Sequence, residues 1–549
     1  MTATIISLFR ERVCRDGERT ALRVKRGGHY VSLDWNELAR DARLAAVALR
    51  RLGVEPGDRV VQASENRYEW IVADLAVHLA RGVHVAVHAT LSGPQIAYQI
   101  ANSGARLVLV SGPEQLQKLL GAEGLPPGMA FVSFDPCGAA GGSVERFADL
   151  VADVSDADGQ AIEAEAAAHT TTGDLATILY TSGTTGEPKG VMLSHGNLAS
   201  NALAALAAFG VETDDLKLCW LPLSHIFART SDLYTWLGGG HEMALAENRE
   251  TLLADCAVVQ PTVMNGVPYF YDKVYRWLRD QGRGDESGAL RAALGGRMRY
   301  CCSGGAALAD HVAEFFQQQG IPLVQGYGLT ESSPVITVCR AVANCIGSVG
   351  RAIAGVEVRI ADDGEILTRG PHVMLGYWNQ PAATAETIRD GWLHTGDLGT
   401  LEDGFLRITG RKKELLVTAG GKNVAPAWLE GLLSEDPLIA QAMIVGDGRN
   451  YLAALIVPDP LALAGEIRAR GIQLVSAAEA LVHPAVRELY AERINRRLSD
   501  AARCEQVGKF TLLPRGFSIE SGELTPTLKL RRGVILQNFS REIEAMYVG

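Results

Sequence analysis

The feature that most constrains the fold is a regular alternation of strand-like and helix-like segments that begins near residue 58. The pattern predicts strands at 58–62, 83–87 and 106–110, separated by helices at 68–80 and 94–102. A βαβαβ succession of this kind favours a parallel sheet covered by helices. The same rhythm returns further along, with strands at 217–221, 262–267, 298–302 and 322–325 and helices at 227–237, 269–279 and 309–319. The sequence therefore predicts a large α/β domain of doubly wound sheets.

Two stretches depart from this rhythm. Residues 152–173 are polar and rich in alanine, aspartate and glutamate, and they are predicted to form an exposed connection. From about residue 347 the apolar segments become short and bounded by turns, which predicts a small β-rich subdomain of antiparallel strands. After Arg411 comes a smaller α+β unit, with helices from Pro426, at 461–470 and at 484–499, and strands at 442–445, 452–457 and 510–514. We predict an N-terminal domain at 1–410 and a C-terminal domain at 411–549.

Composition narrows the functional class. The chain has 549 residues, 47% of them hydrophobic and 21% charged, which is typical of a globular enzyme with several domain-sized units. A net charge of -11 argues against a nucleic-acid partner, since tracking phosphates requires a basic face. Nine cysteines without paired metal spacing fit a reducing cytoplasm. With no signal pattern and no apolar stretch of about 20 residues, we expect a cytoplasmic protein. Peripheral membrane contact stays open.

Residues 180–190, with the sequence YTSGTTGEPKG, form a segment suited to holding phosphate. Its glycines let backbone N–H groups converge on an anion because no Cβ stands in the way. Its hydroxyls add further donors, and Lys189 adds a positive charge. The spacing is not that of a Walker loop. Taken alone, a loop rich in serine, threonine and glycine is more often a plain connection.

Five more segments carry chemical groups. They are SGGA at 303–306, QGYGLTE at 325–331, WLHTGD at 392–397, GRKKELLVTAGGKN at 410–423 and GELTPTLK at 522–529. The first two end predicted strands, where bare backbone lets a flat ring lie close. Taken alone, the first two segments are equally typical of plain turns. The aspartate of the third is more often a turn residue, the fourth could be a solvated linker with a glycine turn, and the lysine of the fifth is more often an ordinary surface lysine.

Together and in this order, the six segments resemble the adenylate-forming superfamily of acyl-CoA synthetases, luciferases and peptide-synthetase adenylation domains. The resemblance covers nearly the whole chain and is closest to the long-chain fatty acyl-CoA synthetases. The subgroup resemblance rests on LPLSHIF at 221–227, GPHVMLGY at 370–377, GGKNVAP at 420–426 and LTPTLK at 524–529.

The resemblance implies that ATP and Mg²⁺ activate a medium- to long-chain fatty acid as its adenylate, with release of pyrophosphate. The acyl group then passes to coenzyme A, and the enzyme is expected to be a monomer or homodimer. Two alternatives remain within the superfamily: activation of an aryl or other acid, and transfer to a carrier protein. A nucleotide-binding sensor without catalysis is disfavoured, because Lys529, Glu331 and Asp397 are all present.

The resemblance also implies roles for individual residues. ATP phosphates would be held by Thr181, Ser182, Gly183, Thr184, Thr185, Gly186 and Lys189. Adenine would be held by Gly304, Gly305, Ala306, Gly326 and Tyr327. Ribose would be held by Asp397 and Arg411, with Ile408 packing nearby.

The remaining implied roles concern catalysis and movement. Thr330 would contact the α-phosphate, Glu331 would bind Mg²⁺, and Lys529 would bridge carboxylate and α-phosphate oxygens. His225 would lie near the acyl carboxyl as a gate or orienting group, and the alternative is a packed turn histidine. A hinge at Lys413 would make the C-terminal domain mobile, and Gly420, Gly421 and Lys422 would then meet coenzyme A.

Overall fold

The protein is described from a computed structural model that covers residues 3–137, 144–181, 187–473, 476–518, 520–524 and 530–548. The chain divides into two compact units. The first unit comprises Met1–Gly305, Phe315–Val358 and Leu367–His394. The second unit comprises Ala306–Glu314, Arg359–Ile366 and Thr395–Gly549.

The helices differ widely in length, from one turn to about five. They are α1 Ile5–Asp16, α2 Trp35–Arg51, α3 Tyr68–Leu79, α4 Gly93–Ser103, α5 Pro113–Leu120, α6 Phe147–Ala152, α7 Asp156–His169, α8 His195–Phe209, α9 Ile226–Ala228, α10 Thr235–Gly239, α11 Leu252–Val259, α12 Pro268–Asp280, α13 Ala289–Ala293, α14 Asp310–Gln318, α15 Pro381–Thr387, α16 Pro426–Ser434, α17 Pro460–Ala469, α18 Ala477–Ala480, α19 Pro484–Arg497, α20 Arg532–Asn538 and α21 Ser540–Tyr547.

The strands are mostly short. They are β1 Thr20–Arg26, β2 His29–Asp34, β3 Arg59–Ala63, β4 Val83–Val87, β5 Leu107–Val110, β6 Ala130–Ser133, β7 Glu145–Arg146, β8 Leu175–Thr181, β9 Lys189–Ser194, β10 Leu216–Cys219, β11 Glu242–Leu245, β12 Val263–Gly266, β13 Tyr300–Ser303, β14 Leu323–Gly328, β15 Val335–Val338, β16 Arg351–Ala352, β17 Glu357–Ile360, β18 Glu365–Arg369, β19 Gly376–Tyr377, β20 Ile388–Arg389, β21 Trp392–Glu402, β22 Phe405–Arg411, β23 Leu416–Val417, β24 Asn423–Val424, β25 Ile439–Val445, β26 Leu452–Pro458 and β27 Val507–Leu512.

Over the described part of the chain, these strands form five sheets. The first unit holds a nine-stranded sheet, β16-β15-β14-β13-β12-β10-β11-β1-β2, and an eight-stranded sheet, β19-β9-β8-β4-β3-β5-β6-β7. A five-stranded sheet has the order β17-β18-β21-β20, with β22 paired to β21. The second unit holds the two-stranded sheet β23-β24 and the three-stranded sheet β25-β26-β27.

Both faces of the main sheets are buried, which explains their nearly continuous apolar sequences. In β5, Leu107 and Leu109 join one core cluster, whereas Val108 and Val110 join another. β26 alternates in the same way between two clusters in the second unit. Since successive side chains of a strand point to opposite faces, each of these sheets lies between two apolar layers.

The predicted fold class is confirmed. β3 pairs in parallel with β4 and β5, and β12, β13 and β14 continue parallel pairing in the nine-stranded sheet. β21 and β22 are antiparallel, as expected for the β-rich segment. The α+β character predicted after residue 411 is confirmed by the helices that accompany the β25-β26-β27 sheet.

The prediction that residues 152–173 form an exposed connection is wrong. They contain α7, which packs against α2 and buries Ile162 and Ala166. Ser155 Oγ caps the helix by accepting a hydrogen bond from the Asp158 N–H at 3.2 Å. A Cβ at Gly159 would lie 3.0 Å from the Arg43 Cβ, so the missing side chain permits close packing. High alanine content favoured the helix, while the charged residues concealed its buried face.

The prediction of a single helix over 227–237 is also wrong in detail. A π-helical turn, Arg229–Tyr234, separates α9 from α10. A π turn places residues five positions apart on one face. Arg229 Nε accordingly donates a hydrogen bond to the Tyr234 hydroxyl at 2.9 Å. The distortion is therefore coupled to a buried polar contact that hydrophobic periodicity does not report.

Two further observations bear on the cellular setting. All nine cysteines are free thiols, including the adjacent and buried Cys301 and Cys302. Among the helices in the described ranges, none has both the length and the apolar character needed to cross a bilayer.

Candidate functional site

The phosphate-type segment connects the two strands of an antiparallel hairpin. Thr181 at the end of β8 is the register partner of Lys189 at the start of β9. A Cβ at Gly190 would lie 2.8 Å from Ile178 Cγ2, so glycine is required for the close packing of the hairpin. The hairpin places Thr181 and Lys189 side by side where the segment leaves and re-enters the sheet. The other candidates in this segment, at 182–186, lie outside the described residues.

Lys189 and Glu331 are linked through Tyr377. The Lys189 Nζ lies 4.9 Å from the centre of the Tyr377 ring. The Tyr377 hydroxyl donates a hydrogen bond to Glu331 Oε1 at 2.8 Å. Burial, reinforced by the Glu331 charge, raises the Tyr377 pKa, so the hydroxyl keeps its proton. Tyr377 belongs to the 370–377 motif, but the sequence assigned it no role.

Backbone pairing positions both Tyr377 and Glu331. Tyr377 is the register partner of Val191, so β19 lies against β9 of the phosphate hairpin. The Glu331 carbonyl accepts a hydrogen bond from the Met374 N–H at 2.9 Å. Thr330 and Glu331 form a 3₁₀ turn that directly follows β14, and both are half-buried. Lys189, the cation predicted to meet the phosphates, and Glu331, the predicted magnesium ligand, are therefore held by the same set of backbone and side-chain contacts.

Glu331 has the chemical character of a magnesium ligand. A partly exposed carboxylate that follows a strand is the hard oxygen donor that Mg²⁺ prefers. Within the described ranges, no group of three or more histidine, cysteine, aspartate or glutamate residues could hold a metal ion. One carboxylate fits Mg²⁺ that takes its other ligands from phosphate and water oxygens.

The candidate adenine residues of the first unit lie at the carboxyl ends of parallel strands. Ser303 is the register partner of Gln325, which brings Gly304 and Gly326 to the same edge of the sheet. A Cβ at Gly304 would lie 2.9 Å from the Phe227 ring, so a side chain there would displace that ring. Ligands of α/β sheets commonly bind at this edge.

The other three adenine candidates have these positions: Gly305 has φ +82°, Tyr327 is half-buried in β14, and Ala306 is exposed and belongs to the second unit.

His225 precedes α9 and is half-buried. Its Nδ1 accepts a hydrogen bond from the Phe227 N–H at 3.2 Å, which caps the short helix. A second histidine, His88, has its ring centre 6.1 Å away and shares a 2.8 Å hydrogen bond with Ser224 Oγ. Burial lowers the His88 pKa, which favours the neutral imidazole. Sequence reasoning missed His88 because it follows a different strand, β4.

In the second unit, the two predicted ribose residues contact each other. Asp397 on β21 is the register partner of Arg411 on β22, and Arg411 Nε donates to Asp397 Oδ1 at 2.7 Å. Asp397 is buried, whereas the Arg411 side chain is 43% exposed. Ile408 lies on β22 and is also partly exposed. Glu365, which sequence reasoning missed, accepts a hydrogen bond from the Gly396 N–H at 3.0 Å.

The predicted hinge and thiol-passage residues are exposed. Lys413 belongs to the 3₁₀ turn Lys412–Glu414. Gly420, Gly421 and Lys422 lie in the turn between β23 and β24, where Gly421 has φ +70°. Thr418 closes this turn, because its Oγ1 accepts a hydrogen bond from the Lys422 N–H at 3.2 Å.

The segment that carries Lys529 has well-defined ends. Lys529 itself lies outside the described residues, but Leu524 and Leu530 form an antiparallel bridge on either side of the segment. The Glu523 carbonyl accepts a hydrogen bond from the Arg531 N–H at 2.8 Å.

The fully buried Glu523 carboxylate was not singled out by the sequence. It accepts hydrogen bonds from Arg515 at 2.6 and 2.7 Å, Ser521 Oγ at 2.7 Å and Asn538 Nδ2 at 2.9 Å.

The Glu523 network predicts a specific acid sensitivity. Hydrogen bonds from Arg515 lower the Glu523 pKa to about 2. A lowered carboxylate pKa stabilises the fold above the unfolded pKa of about 4.3, and this contribution disappears as the pH falls towards 2. Glu523→Gln should therefore lower the urea midpoint most above about pH 5, and the gap from the parent protein should narrow below about pH 4.

The matched control for that measurement is Glu544→Gln, which removes an exposed carboxylate paired with Arg449. This variant should change the midpoint little at any pH, since exposed ion pairs contribute little. A Glu523→Gln gap that stays constant from neutral pH to pH 2 would contradict the assignment.

Two family models and several known proteins match most of this chain. A model for AMP-binding enzymes matches residues 9–378, and a model for the AMP-binding enzyme C-terminal domain matches residues 413–549. The chain is 36% identical to the long-chain-fatty-acid–CoA ligase FadD15 of Mycobacterium bovis, over 95% of this chain and 93% of that protein. It is 30% identical to the long-chain-fatty-acid–CoA ligase ACSBG2 of Xenopus laevis, over 99% of this chain and 84% of that protein.

Among solved structures, the anthranilate CoA ligase AuaEII in complex with anthranoyl-AMP is similar, with a TM-score of 0.78. The match covers 99% of this chain and 98% of that one at 19% sequence identity. At that identity the likeness shows a shared fold.

Proposed function

This chain belongs to the family of AMP-binding enzymes, and from that premise we propose that it is a fatty acid–CoA ligase. It activates a medium- to long-chain fatty acid with ATP, releases pyrophosphate and transfers the acyl group to coenzyme A. The substrate class is supported by relatives named long-chain-fatty-acid–CoA ligases that align over nearly the whole chain.

The observation that carries the proposal is the contact chain of Lys189, Tyr377 and Glu331. The first step brings an anionic carboxylate to anionic ATP, so the site must supply positive charge where the phosphates lie. Lys189 supplies a cation beside the phosphate segment. Glu331 supplies a carboxylate for a metal ion, and the Tyr377 hydroxyl holds that carboxylate in place.

The remaining nucleotide contacts follow the same proposal. The bare strand ends at Gly304 and Gly326 suit a flat base, with the Tyr327 ring as a stacking face. The Asp397 carboxylate, oriented by Arg411, suits ribose hydroxyl groups. Gly305, Ala306 and Ile408 complete the proposed nucleotide contacts.

Magnesium is part of this proposal. Glu331 would hold the ion together with phosphate oxygens, and a bound Mg²⁺ supplies neutralisation of the phosphate charge. Thr330, in the same turn, would donate a hydrogen bond to the α-phosphate.

Tyr377→Phe tests the Lys189–Tyr377–Glu331 contacts, because it removes only the hydroxyl group that donates to Glu331. Without the hydroxyl donor, the Glu331 carboxylate loses its orientation, so we expect the Mg²⁺ concentration needed for half-maximal pyrophosphate release to rise roughly 10-fold or more. The dissociation constant for the binding of magnesium–ATP to the enzyme, measured by calorimetry, should rise in parallel.

Tyr180→Phe is the matched control for that variant. Tyr180 is a half-buried tyrosine of β8, in the same hairpin as Lys189, and its hydroxyl donates to Asn102 Oδ1 at 2.7 Å. Its loss should leave the magnesium requirement unchanged. Equal shifts in the two variants would show that the effect is general loosening of the hairpin.

The second half-reaction is proposed to use the C-terminal residues. The boundary proposed at 410/411 is supported by the C-terminal family model, which begins at residue 413. We propose that Lys413 is the hinge, that Lys529 acts in adenylate formation, and that Gly420 to Lys422 form the thiol passage. His225 would orient the acyl carboxylate. A cytoplasmic location is supported by the nine free thiols.

The decisive experiment measures pyrophosphate release over saturated acids of increasing length, together with benzoate and cinnamate derivatives. Release that peaks with medium to long saturated acids supports the proposal, whereas a preference for aryl acids would replace the substrate class. A competition between coenzyme A and an acyl carrier protein then identifies the acceptor. Absence of acid-dependent pyrophosphate release with every acid would overturn the ligase assignment.

A further inference from the structure

Arg229 is a fully buried arginine that follows His225 by four residues. Its guanidinium donates hydrogen bonds to three buried groups: Thr177 Oγ1 at 2.8 Å, the Tyr234 hydroxyl at 2.9 Å and the Asp74 carboxylate. It also lies 2.6 Å from His84 Nδ1. A planar fork of donors matches several fixed acceptors at once, which a lysine cannot do. These contacts hold the Arg229 side chain in one fixed place inside the first unit.

The protonation states around Arg229 are set by the same contacts. His84 Nδ1 lies 2.6 Å from Arg229 Nη2 and 2.8 Å from Asp74 Oδ1, and its Nε2 lies 2.9 Å from Gln62 Oε1. Burial and the Arg229 charge lower the His84 pKa to about 4, which keeps the imidazole neutral. Burial would raise the Asp74 pKa, but the Arg229 charge holds it well below its ordinary value. Arg229 and Asp74 therefore form a buried pair of opposite charges at neutral pH.

Arg229 connects two elements that the proposed reaction must bring together. Thr177 lies on β8, four residues before Thr181, where the phosphate segment begins. At roughly 3.3 Å per residue, that separation is about 13 Å along the strand. On the other side, the Arg229 N–H donates to the His225 carbonyl at 3.0 Å. The guanidinium therefore links the segment that starts at His225 to the strand that leads into the phosphate hairpin.

We propose that Arg229 is a positioning residue for acyl-adenylate formation, which sets the spacing between His225 and the β8–β9 hairpin. This inference rests on the proposed ligase function. In the adenylation step a carboxylate oxygen attacks the α-phosphorus. A new oxygen–phosphorus bond forms, the bond to the β-phosphate breaks, and pyrophosphate leaves with the electron pair. That displacement depends on the relative placement of acid and phosphates, whereas attack of a thiol on a finished adenylate does not use the phosphate hairpin.

Arg229→Lys tests the proposal, because it keeps the buried charge but loses the planar fork. We expect the kcat of ATP–pyrophosphate exchange to fall about 100-fold, since small misplacements of reacting groups can cost that much. The KM values for ATP and acid should change far less than kcat. Thioester formation from supplied acyl adenylate should stay close to the parent rate. A loss of equal size in both half-reactions would overturn the proposal.

Arg12→Lys is the matched structural control. Arg12 is also a buried arginine, it pairs with Asp16, and it donates to the Leu237 carbonyl at 3.2 Å, in the α10 helix that follows the π turn. Its replacement should lower thermal stability while both half-reactions change alike. A selective loss of pyrophosphate exchange in Arg12→Lys as large as that in Arg229→Lys would overturn the proposal.

Thr177→Val keeps the inference testable if Arg229→Lys does not fold. Valine preserves the shape and strand preference of threonine but removes the Oγ1 that accepts from Arg229. A smaller loss, selective for pyrophosphate exchange, is expected, and an unchanged exchange rate would overturn the proposal. The parent enzyme distinguishes the two levels of inference: if it shows no acid-dependent exchange, the proposed function itself fails.

Discussion

Replacing Lys529 with alanine is expected to lower the rate of acyl-adenylate formation by roughly 10²–10³-fold, a loss typical of removing one group that stabilises transition-state charge. The lysine ammonium is proposed to bridge the carboxylate and α-phosphate oxygens, where negative charge gathers as the new bond forms. A compact ammonium suits that role as a point charge. Thioester formation from supplied acyl adenylate should be nearly unaffected, because the α-phosphate is already joined to the acyl group. Pyrophosphate exchange and single-turnover thioester formation would be measured separately.

Two further variants sharpen this measurement. Lys529→Arg keeps the charge in a different geometry and should recover only part of the adenylation rate. Lys509→Ala removes a half-buried lysine of β27, also in the second unit, to which no role is assigned. It should leave both half-reactions unchanged. If Lys529→Ala slows both half-reactions equally, separate roles of the second unit in the two steps are refuted.

Gly420→Leu is expected to have the opposite selectivity, with thioester formation reduced on the order of 10²-fold and pyrophosphate release largely retained. Gly420 is exposed, and the nearest atom to a Cβ placed there is Thr418 Oγ1 at 3.9 Å, an ordinary contact. The turn can therefore accept the side chain without strain. Its bulk would instead obstruct the thin thiol arm that is proposed to pass along this backbone. Gly421 would be a poorer choice, because its φ of +70° makes any substitution strained.

The same substitution at Gly431 provides the control. Gly431 lies in α16 of the second unit and is exposed, and among the described residues a Cβ placed there would meet no atom of a neighbouring element within 4 Å. Gly431→Leu should leave both half-reactions at parent rates. Gly420→Ala should cause a smaller loss than Gly420→Leu, because a methyl group obstructs less. If Gly420→Leu leaves thioester formation intact, or slows adenylation more, the turn is not the thiol passage.

Local patterns predicted the strands well where burial makes the pattern continuous. β4 has the predicted bounds, 83–87, because a strand buried on both faces has a nearly continuous apolar sequence. Helix α7 was missed because its buried face is small and its polar residues dominate the composition. The π turn after α9 was missed because hydrophobic periodicity does not report the buried Arg229–Tyr234 contact that accompanies it.

Motifs likewise predicted residues for contact with nucleotide, acid and thiol, and the structure brings two pairs of them together. Thr181 with Lys189, and Asp397 with Arg411, are register partners. In each pair the two residues lie on antiparallel strands that follow one another in the sequence. A short connection between the strands is therefore enough to bring the two residues together.

The residues that hold the site in shape could not be read from any local pattern. Tyr377 contacts Glu331 across 46 positions of sequence, and Arg229 contacts Asp74 across 155. A short segment can specify which chemical groups it carries and whether it favours a strand, a helix or a turn, because those preferences are local. Which group orients another, and which buried charge has a partner, is decided only when distant strands pack together and exclude water.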